Sequence, residues 1–161
     1  MVVNWIFDLD NTLYDFIPTN NKRFNYNNLI YNYQKNKKLK QLKGKKIIFS
    51  NGNLLHVMAC IRKMKLEKIF HKVSCRELHG LKPHFFSYIS LYKIANIQKK
   101  DKCFFFDDLI VNLETAKNFG WITILINPTL SKKDYINNDN IDFYFPNINQ
   151  ALDYFLTNDI N

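Results

Sequence analysis

The chain has 161 residues, 47% apolar, 16% aromatic and 23% charged, with a formal net charge of +9 at pH 7. That length suits one domain, since two independent cores would each stand near the lower size limit. The apolar share excludes a mostly disordered chain, and no apolar run approaches the ~20 residues of a membrane span.

The first predicted strand is residues 2–7, ending at two acidic residues. A second covers 45–50 (KKIIFS) and runs into Asn51-Gly52, a turn signal. Residues 72–75 form a short third, 102–106 (KCFFF) a fourth ending at Asp107-Asp108, 121–126 (WITILI) a fifth and 142–145 a sixth. Continuous apolar runs of this length suit strands buried on both faces, as in a parallel sheet. Between them, 54–64 shows the helical period at Leu54, Val57, Met58 and Ile61. Pro83 suits the first turn of a helix over 84–95, residues 112–119 form a helix stopped by Gly120, and 148–155 form the last. Residues 131–141 read as a polar loop, and Phe85, Phe86, Tyr88 and Tyr92 as core-facing at helical spacing. The segment 14–44 holds no strand. Phe24, Leu29, Ile30 and Tyr33 have helical spacing there, and the lysines after them could extend the helix. Strands alternating with helices predict a three-layer α/β domain over 1–161 around a central parallel sheet, with 14–44 a short insertion.

Cys60, Cys75 and Cys103 are odd in number and form no CxxC pair, which fits buried thiols in a reducing compartment. The opening residues MVVNWIFDLD lack the basic start of a secretory signal, and the expected location is cytoplasmic. The positive charge is uneven. Residues 16–66 carry twelve Lys and Arg and no Asp or Glu, most densely at 35–46. A face for a polyanion such as nucleic acid is one explanation. AT-rich coding is the other, because Lys outnumbers Arg 20 to 3 and Asn, Lys and Ile together make 60 residues.

In open α/β sheets ligands bind beyond the carboxyl ends of the strands. Three predicted strands end in chemically capable residues: Asp8 and Asp10, then Ser50 and Asn51, then Asp107 and Asp108. In a parallel sheet these ends share one edge. Four carboxylates there would repel, and a hard divalent cation held by oxygen ligands, Mg²⁺, resolves the repulsion. With a hydroxyl and a lysine beside it, such a cluster suits phosphoryl transfer. His56 reads as a residue that caps or packs at a helix start, and His71, His79 and His84 lack metal-ligand spacing.

FDLDNTLY at 7–14 resembles the first motif, DxDxT, of the haloacid dehalogenase (HAD) superfamily. FSNG at 49–52 is similar to its second, GLKP at 80–83 to its third, and FFFDDLIVNLETAKNFGW at 104–121 to its fourth, all in order. DLDNTLY, SNGxxxH with His56 and KPxxxxY with Tyr88 look most like the pyrimidine 5′-nucleotidase branch. The resemblance implies that Asp8 is the nucleophile forming an aspartyl-phosphate, and that Asp10 protonates the leaving oxygen and then activates water. It implies phosphate binding by Ser50, Asn51 and Lys82, with Asn51 and Asn112 also positioning loops. It also implies Mg²⁺ held by Asp8, the Asp10 backbone carbonyl and Asp108, with Asp107 in support directly or through water.

Nucleotidases of this branch carry a helical cap where this chain has only 14–44, too short for the usual bundle. Three functions follow: a Mg²⁺-dependent phosphatase on nucleotides or similar small phosphomonoesters, an enzyme on a macromolecular phosphate such as a nucleic-acid end or phosphoprotein, or a non-catalytic binding module. A second subunit serving as the lid fits the missing cap.

Overall fold

The computed structural model describes residues 1–15, 24–129 and 137–158. Its centre is a six-stranded, all-parallel sheet made of β1 (Val3–Phe7), β2 (Lys45–Phe49), β3 (Lys72–Ser74), β4 (Lys102–Asp107), β5 (Ile122–Ile126) and β6 (Phe143–Phe145). The spatial order is β3-β2-β1-β4-β5-β6, so β1 lies in the middle. The helices are α1 (Tyr33–Gln41), α2 (Leu54–Lys63), α3 (Arg76–His79), α4 (Phe85–Ala95), α5 (Ile110–Asn118) and α6 (Ile148–Thr157).

Successive strand side chains point to opposite faces, and each face is buried. Trp5, Phe7, Ile48, Phe104, Phe106 and Ile124 pack with Leu39 of α1, Val57 and Ile61 of α2, and Leu152 and Phe155 of α6. Ile6, Ile47, Phe49, Phe105 and Leu125 pack with Tyr88 and Leu91 of α4 and Leu113 and Ala116 of α5. Stacked rings tie β1 to β4, with centroids 4.4 Å apart for Trp5–Phe104 and 4.6 Å for Phe7–Phe106. This is the predicted three-layer α/β architecture, and the predicted strands sit within a residue or two of the observed ones. No helix among the described residues is long and apolar enough to cross a membrane. Cys60, Cys75 and Cys103 are buried free thiols.

Asparagines start three of the helices. The side chains of Asn32, Asn53 and Asn147 accept from the backbone N–H of Lys35, His56 and Gln150 respectively. The first of these caps shifts the insertion from its predicted form. The apolar spacing over 24–33 is not a helix: it contains a single 3₁₀ turn, Tyr26–Asn28, and α1 is built from the Lys-rich stretch itself. Lys35 and Lys46 are buried, not solvated. Lys35 donates to the Leu13 carbonyl, and burial lowers its pKa to about 8.

Three further expectations change. α3 has no predicted counterpart. Phe85 and Phe86, expected in the core, are 54% and 77% exposed, because Tyr88 and Leu91 occupy the side of α4 that packs on the sheet. Of the predicted loop at 131–141, residues 131–136 lie outside the described residues, as do 16–23 of the insertion.

Candidate active site

Parallel pairing in register brings the ends of β1, β2 and β4 to one edge. The Asp8 N–H donates to the Phe106 carbonyl at 2.8 Å, which continues the β1–β4 ladder into the site. Asn11, with φ of +59°, turns the chain sharply just after β1; asparagine is among the few residues that tolerate this left-handed conformation. Lys82 arrives from the segment after α3 and is fixed by a reciprocal clamp. The Asn51 amide donates to the Lys82 carbonyl at 2.9 Å, and the Lys82 N–H donates to the Asn51 side-chain oxygen at 2.8 Å.

The clamp aims the Lys82 ammonium between two carboxylates. Its Nζ lies 2.7 Å from Asp8 Oδ1 and 2.7 Å from Asp107 Oδ2, with its side chain fully buried. The rings of Phe49 and Phe105 lie beneath it, 5.1 and 5.3 Å from the ammonium to their centroids. Asp107 is inaccessible, and both its oxygens are taken: Oδ1 accepts from the Leu109 N–H and the Asn112 amide, Oδ2 from Lys82 and Asn112. The sequence groups Asp107 with the metal ligands. In the structure its oxygens anchor Lys82 and the start of α5.

Negative charge still exceeds positive charge here. Burial, with Asp107 and Asp108 nearby, pushes the Asp8 carboxyl up to about 8 in spite of Lys82. Burial and Asp107 push Asp108 up to about 6. Among the described residues no three His, Cys, Asp or Glu side chains form a ready-made metal cage. Mg²⁺ asks for less, because it binds through one or two carboxylates and completes its shell with waters and phosphate oxygens. Asp8, buried, and Asp108, half-buried beside it, fit that requirement.

Ser50 is fully buried between three elements. Its N–H donates to the Ser74 carbonyl at 3.1 Å, its carbonyl meets His79 Nε2 at 3.1 Å, and its Oγ accepts from the Gly52 N–H at 3.0 Å. Burial lowers the His79 pKa to about 4, so the ring is neutral and donates from Nε2.

Asp10 is turned to a separate set of partners. His56 Nε2 lies 2.7 Å from Asp10 Oδ1, and the Tyr14 hydroxyl donates to the same oxygen. The Tyr26 hydroxyl sits 3.1 Å from His56 Nδ1. The hydrogen bond to Asp10, then Cys60, outweigh burial and raise the His56 pKa to about 11. His56 therefore pairs with a predicted site residue instead of capping its helix, a task Asn53 performs. Thus Asp8, Lys82 and Asp107 bond directly, Asp108 joins them electrostatically, Asn51 and Asn112 fix the framework, and Asp10 stands with His56. His56, Tyr14, Tyr26 and His79 are the participants that sequence reasoning leaves out. The one available signal was His56 in SNGxxxH, six residues beyond the β2-end Ser50.

No family model and no curated protein matches the sequence. The fold does match solved structures. An L-2-haloacid dehalogenase from Xanthobacter autotrophicus aligns with a TM-score of 0.65 at 19% identity, over 83% of this chain and 63% of that one. The HAD-hydrolase YfnB from Bacillus subtilis, bound to magnesium, aligns at 0.64 and 16%, over 77% and 54%. A HAD phosphatase from Thermococcus onnurineus aligns at 0.62 and 14%, over 76% and 55%. The chain therefore has the haloacid dehalogenase fold, and it spans less than two thirds of the length of each of these proteins.

Proposed function

We propose that the chain is a Mg²⁺-dependent phosphomonoester hydrolase acting through an aspartyl-phosphate on Asp8. The observation that carries this reading is the buried Lys82 ammonium bridging Asp8 and Asp107 at 2.7 Å each, with Asp108 adding uncompensated negative charge. Lys82 holds the Asp8 carboxylate for attack and offers positive charge to phosphoryl oxygens. Bound Mg²⁺, held by Asp8, Asp108 and the Asp10 carbonyl, would supply the remaining charge neutralisation. An Asp8 oxygen forms a bond to phosphorus while the ester P–O bond breaks, and Asp10 gives its proton to the leaving oxygen. Asp10 then takes a proton from water. The resulting hydroxide attacks phosphorus, releases phosphate and restores Asp8.

The structural neighbours include dehalogenases as well as phosphatases. Displacing a halide needs no proton donor for the leaving group, whereas an alkoxide does. A carboxyl held by its own histidine two residues from the nucleophile favours the phosphoester reading. The motif resemblance favours nucleotides, and the exposed Phe86 and Leu109, four residues after Lys82 and one after Asp108 in sequence, offer apolar surface for a base. The three free thiols suit the reducing cytoplasm. The test is a Mg²⁺-dependent screen of mononucleotides, other small phosphomonoesters, phosphorylated oligonucleotides, a phosphopeptide and 2-haloacids. Phosphate release that stops with EDTA supports the reading. Release undiminished in EDTA, or turnover of haloacids alone, overturns it.

A further inference from the structure

The short insertion supplies Tyr26 and Tyr14, and both end on one histidine–carboxylate pair. Tyr26 lies in the 3₁₀ turn, with its hydroxyl 3.1 Å from His56 Nδ1. The rings of Phe24 and His56 meet nearly perpendicular, with centroids 4.9 Å apart. On the opposite nitrogen, Nε2 lies 2.7 Å from Asp10 Oδ1. The ring is thus held at both nitrogens and on its side. Its floor is Gly52, where an added Cβ would stand 2.8 Å from His56 Cδ2, so only glycine leaves the imidazole its place. Both hydrogen bonds that the described residues give Asp10, from His56 and Tyr14, fall on Oδ1. A carboxyl held by one oxygen keeps a fixed rotamer and has Oδ2 for proton exchange.

We infer that His56 is a positioning residue for Asp10, and that the insertion acts through Tyr26 and Tyr14 to aim the acid–base carboxyl. The insertion's task is then internal. Where a full cap would cover a substrate, this one steadies a catalytic side chain. The inference rests on the hydrolase reading above, because it assigns Asp10 the proton transfer to the leaving oxygen.

The leaving group provides a test that a merely structural role would not pass. Outer partners of reactive groups typically contribute about 10–100-fold. kcat/KM stops at aspartyl-phosphate formation, so it reports protonation of the leaving oxygen. His56→Ala is expected to lower kcat/KM on an alkyl phosphate by about 10–100-fold, with KM little changed. On p-nitrophenyl phosphate, whose leaving group departs without a proton, the loss is expected to stay below about 3-fold. His56→Gln, which can donate to Oδ1, should restore most of the alkyl-phosphate rate, and Tyr26→Phe should lower it in the same selective pattern. Equal losses on both esters, or an undiminished His56→Ala enzyme, would overturn the inference. Long-range ¹H–¹⁵N spectra of the imidazole give a readout that needs no turnover. Asp10→Asn should move the Nε2 signal and Tyr26→Phe the Nδ1 signal, and immobile signals sink the coupling. A wild-type chain that hydrolyses no phosphomonoester would remove the hydrolase reading, while the spectra would still decide the His56–Asp10 link.

Discussion

Asp8 and Asp10 are two residues apart and live in opposite physical settings. Asp8 is buried, bonded to a buried ammonium and framed by the ends of β1, β2 and β4. Asp10 is half-buried and held by His56 and Tyr14, from α2 and the loop after β1. The first setting is a rigid electrostatic cradle in which every partner belongs to a strand end or is clamped to one. The second is a chain of side-chain hydrogen bonds that reaches into the insertion. A nucleophile needs a fixed charge environment, whereas an acid–base group needs one oxygen held and one free to exchange protons. On the proposed reading, the sheet supplies the charge and the insertion supplies the aim.

Removing the charge of Asp8, the proposed nucleophile, should have the largest effect. Asp8→Asn keeps the shape and leaves Lys82 its bond to Asp107, so the fold should survive while turnover falls by at least ~10⁴-fold. Purified variant with unchanged circular dichroism and measurable wild-type-like phosphate release would break the comparison outright. Lys82→Ala comes next. It strips charge from the cradle and leaves two buried carboxylates facing each other, and turnover should fall by about 10²–10³-fold. Lys82→Arg should not restore it, because a planar guanidinium does not fit between two oxygens each 2.7 Å from one nitrogen. Full rescue by arginine would show that the cradle is looser than its geometry.

The cradle was readable in the sequence because it depends on order along the chain. Strands buried on both faces show as continuous apolar runs, KKIIF and KCFFFD among them, and their ends carry Asp8, Ser50 and Asp107. Once the strands are parallel, convergence at one edge follows. The link to Asp10 was not readable in the same way. His56 is 46 residues from Asp10, and Tyr26 is 30 from His56, on an element whose apolar spacing suggested a longer helix. Nothing local distinguishes a histidine that packs from one that reaches a carboxylate. Phe85 and Phe86 show the converse, since helical spacing names a face but not whether a sheet lies beneath it. Asp107 shows a third limit: an acidic pair in sequence does not say which member bonds Lys82 and the start of α5.

The cradle should also cost stability, and Asp108 isolates that cost. Its carboxyl is raised from 3.8 to about 6 by burial and Asp107. The folded chain therefore binds more protons than the unfolded chain across that window, and stability falls as pH rises through it. Asp108→Asn removes the charge. In EDTA at pH 7 the variant should melt about 2–4 °C higher than wild type, and the gap should close below about pH 4. Mg²⁺ should raise the wild-type Tm and leave the variant's nearly unchanged. A variant that melts lower at pH 7 would mean that Asp108 is a stabilising partner instead of a charge awaiting a cation.

The smallest effect belongs to the basic stretch, where placement in the fold decides what its charge can reach. α1 runs into β2 at Lys45, and Ser50 follows the far end of that strand, about 17 Å away at ordinary strand rise. The carboxyl edge with Asp8 and Lys82 is thus opposite the edge where Lys43, Lys45 and Lys46 enter the sheet. Lys35 and Lys46 are buried, and Lys38 pairs with Asp153 of α6 at 2.7 Å, so a clean test leaves these three in place. Lys37, Lys40 and Lys43 are exposed. Changing them together to Gln should alter kcat/KM on a mononucleotide by less than about twofold in moderate salt, since salt screens exposed charges over a Debye length of about 10 Å. The same should hold for a 5′-phosphorylated oligonucleotide if the substrate is small. A long polyanion, however, could span from the site edge to the basic edge, and its binding would depend less steeply on salt once fewer of its phosphates were neutralised by lysine. A tenfold or greater loss confined to the oligonucleotide, together with a shallower salt slope, would move the natural substrate to nucleic-acid ends and give the insertion a second role beside that of holding His56.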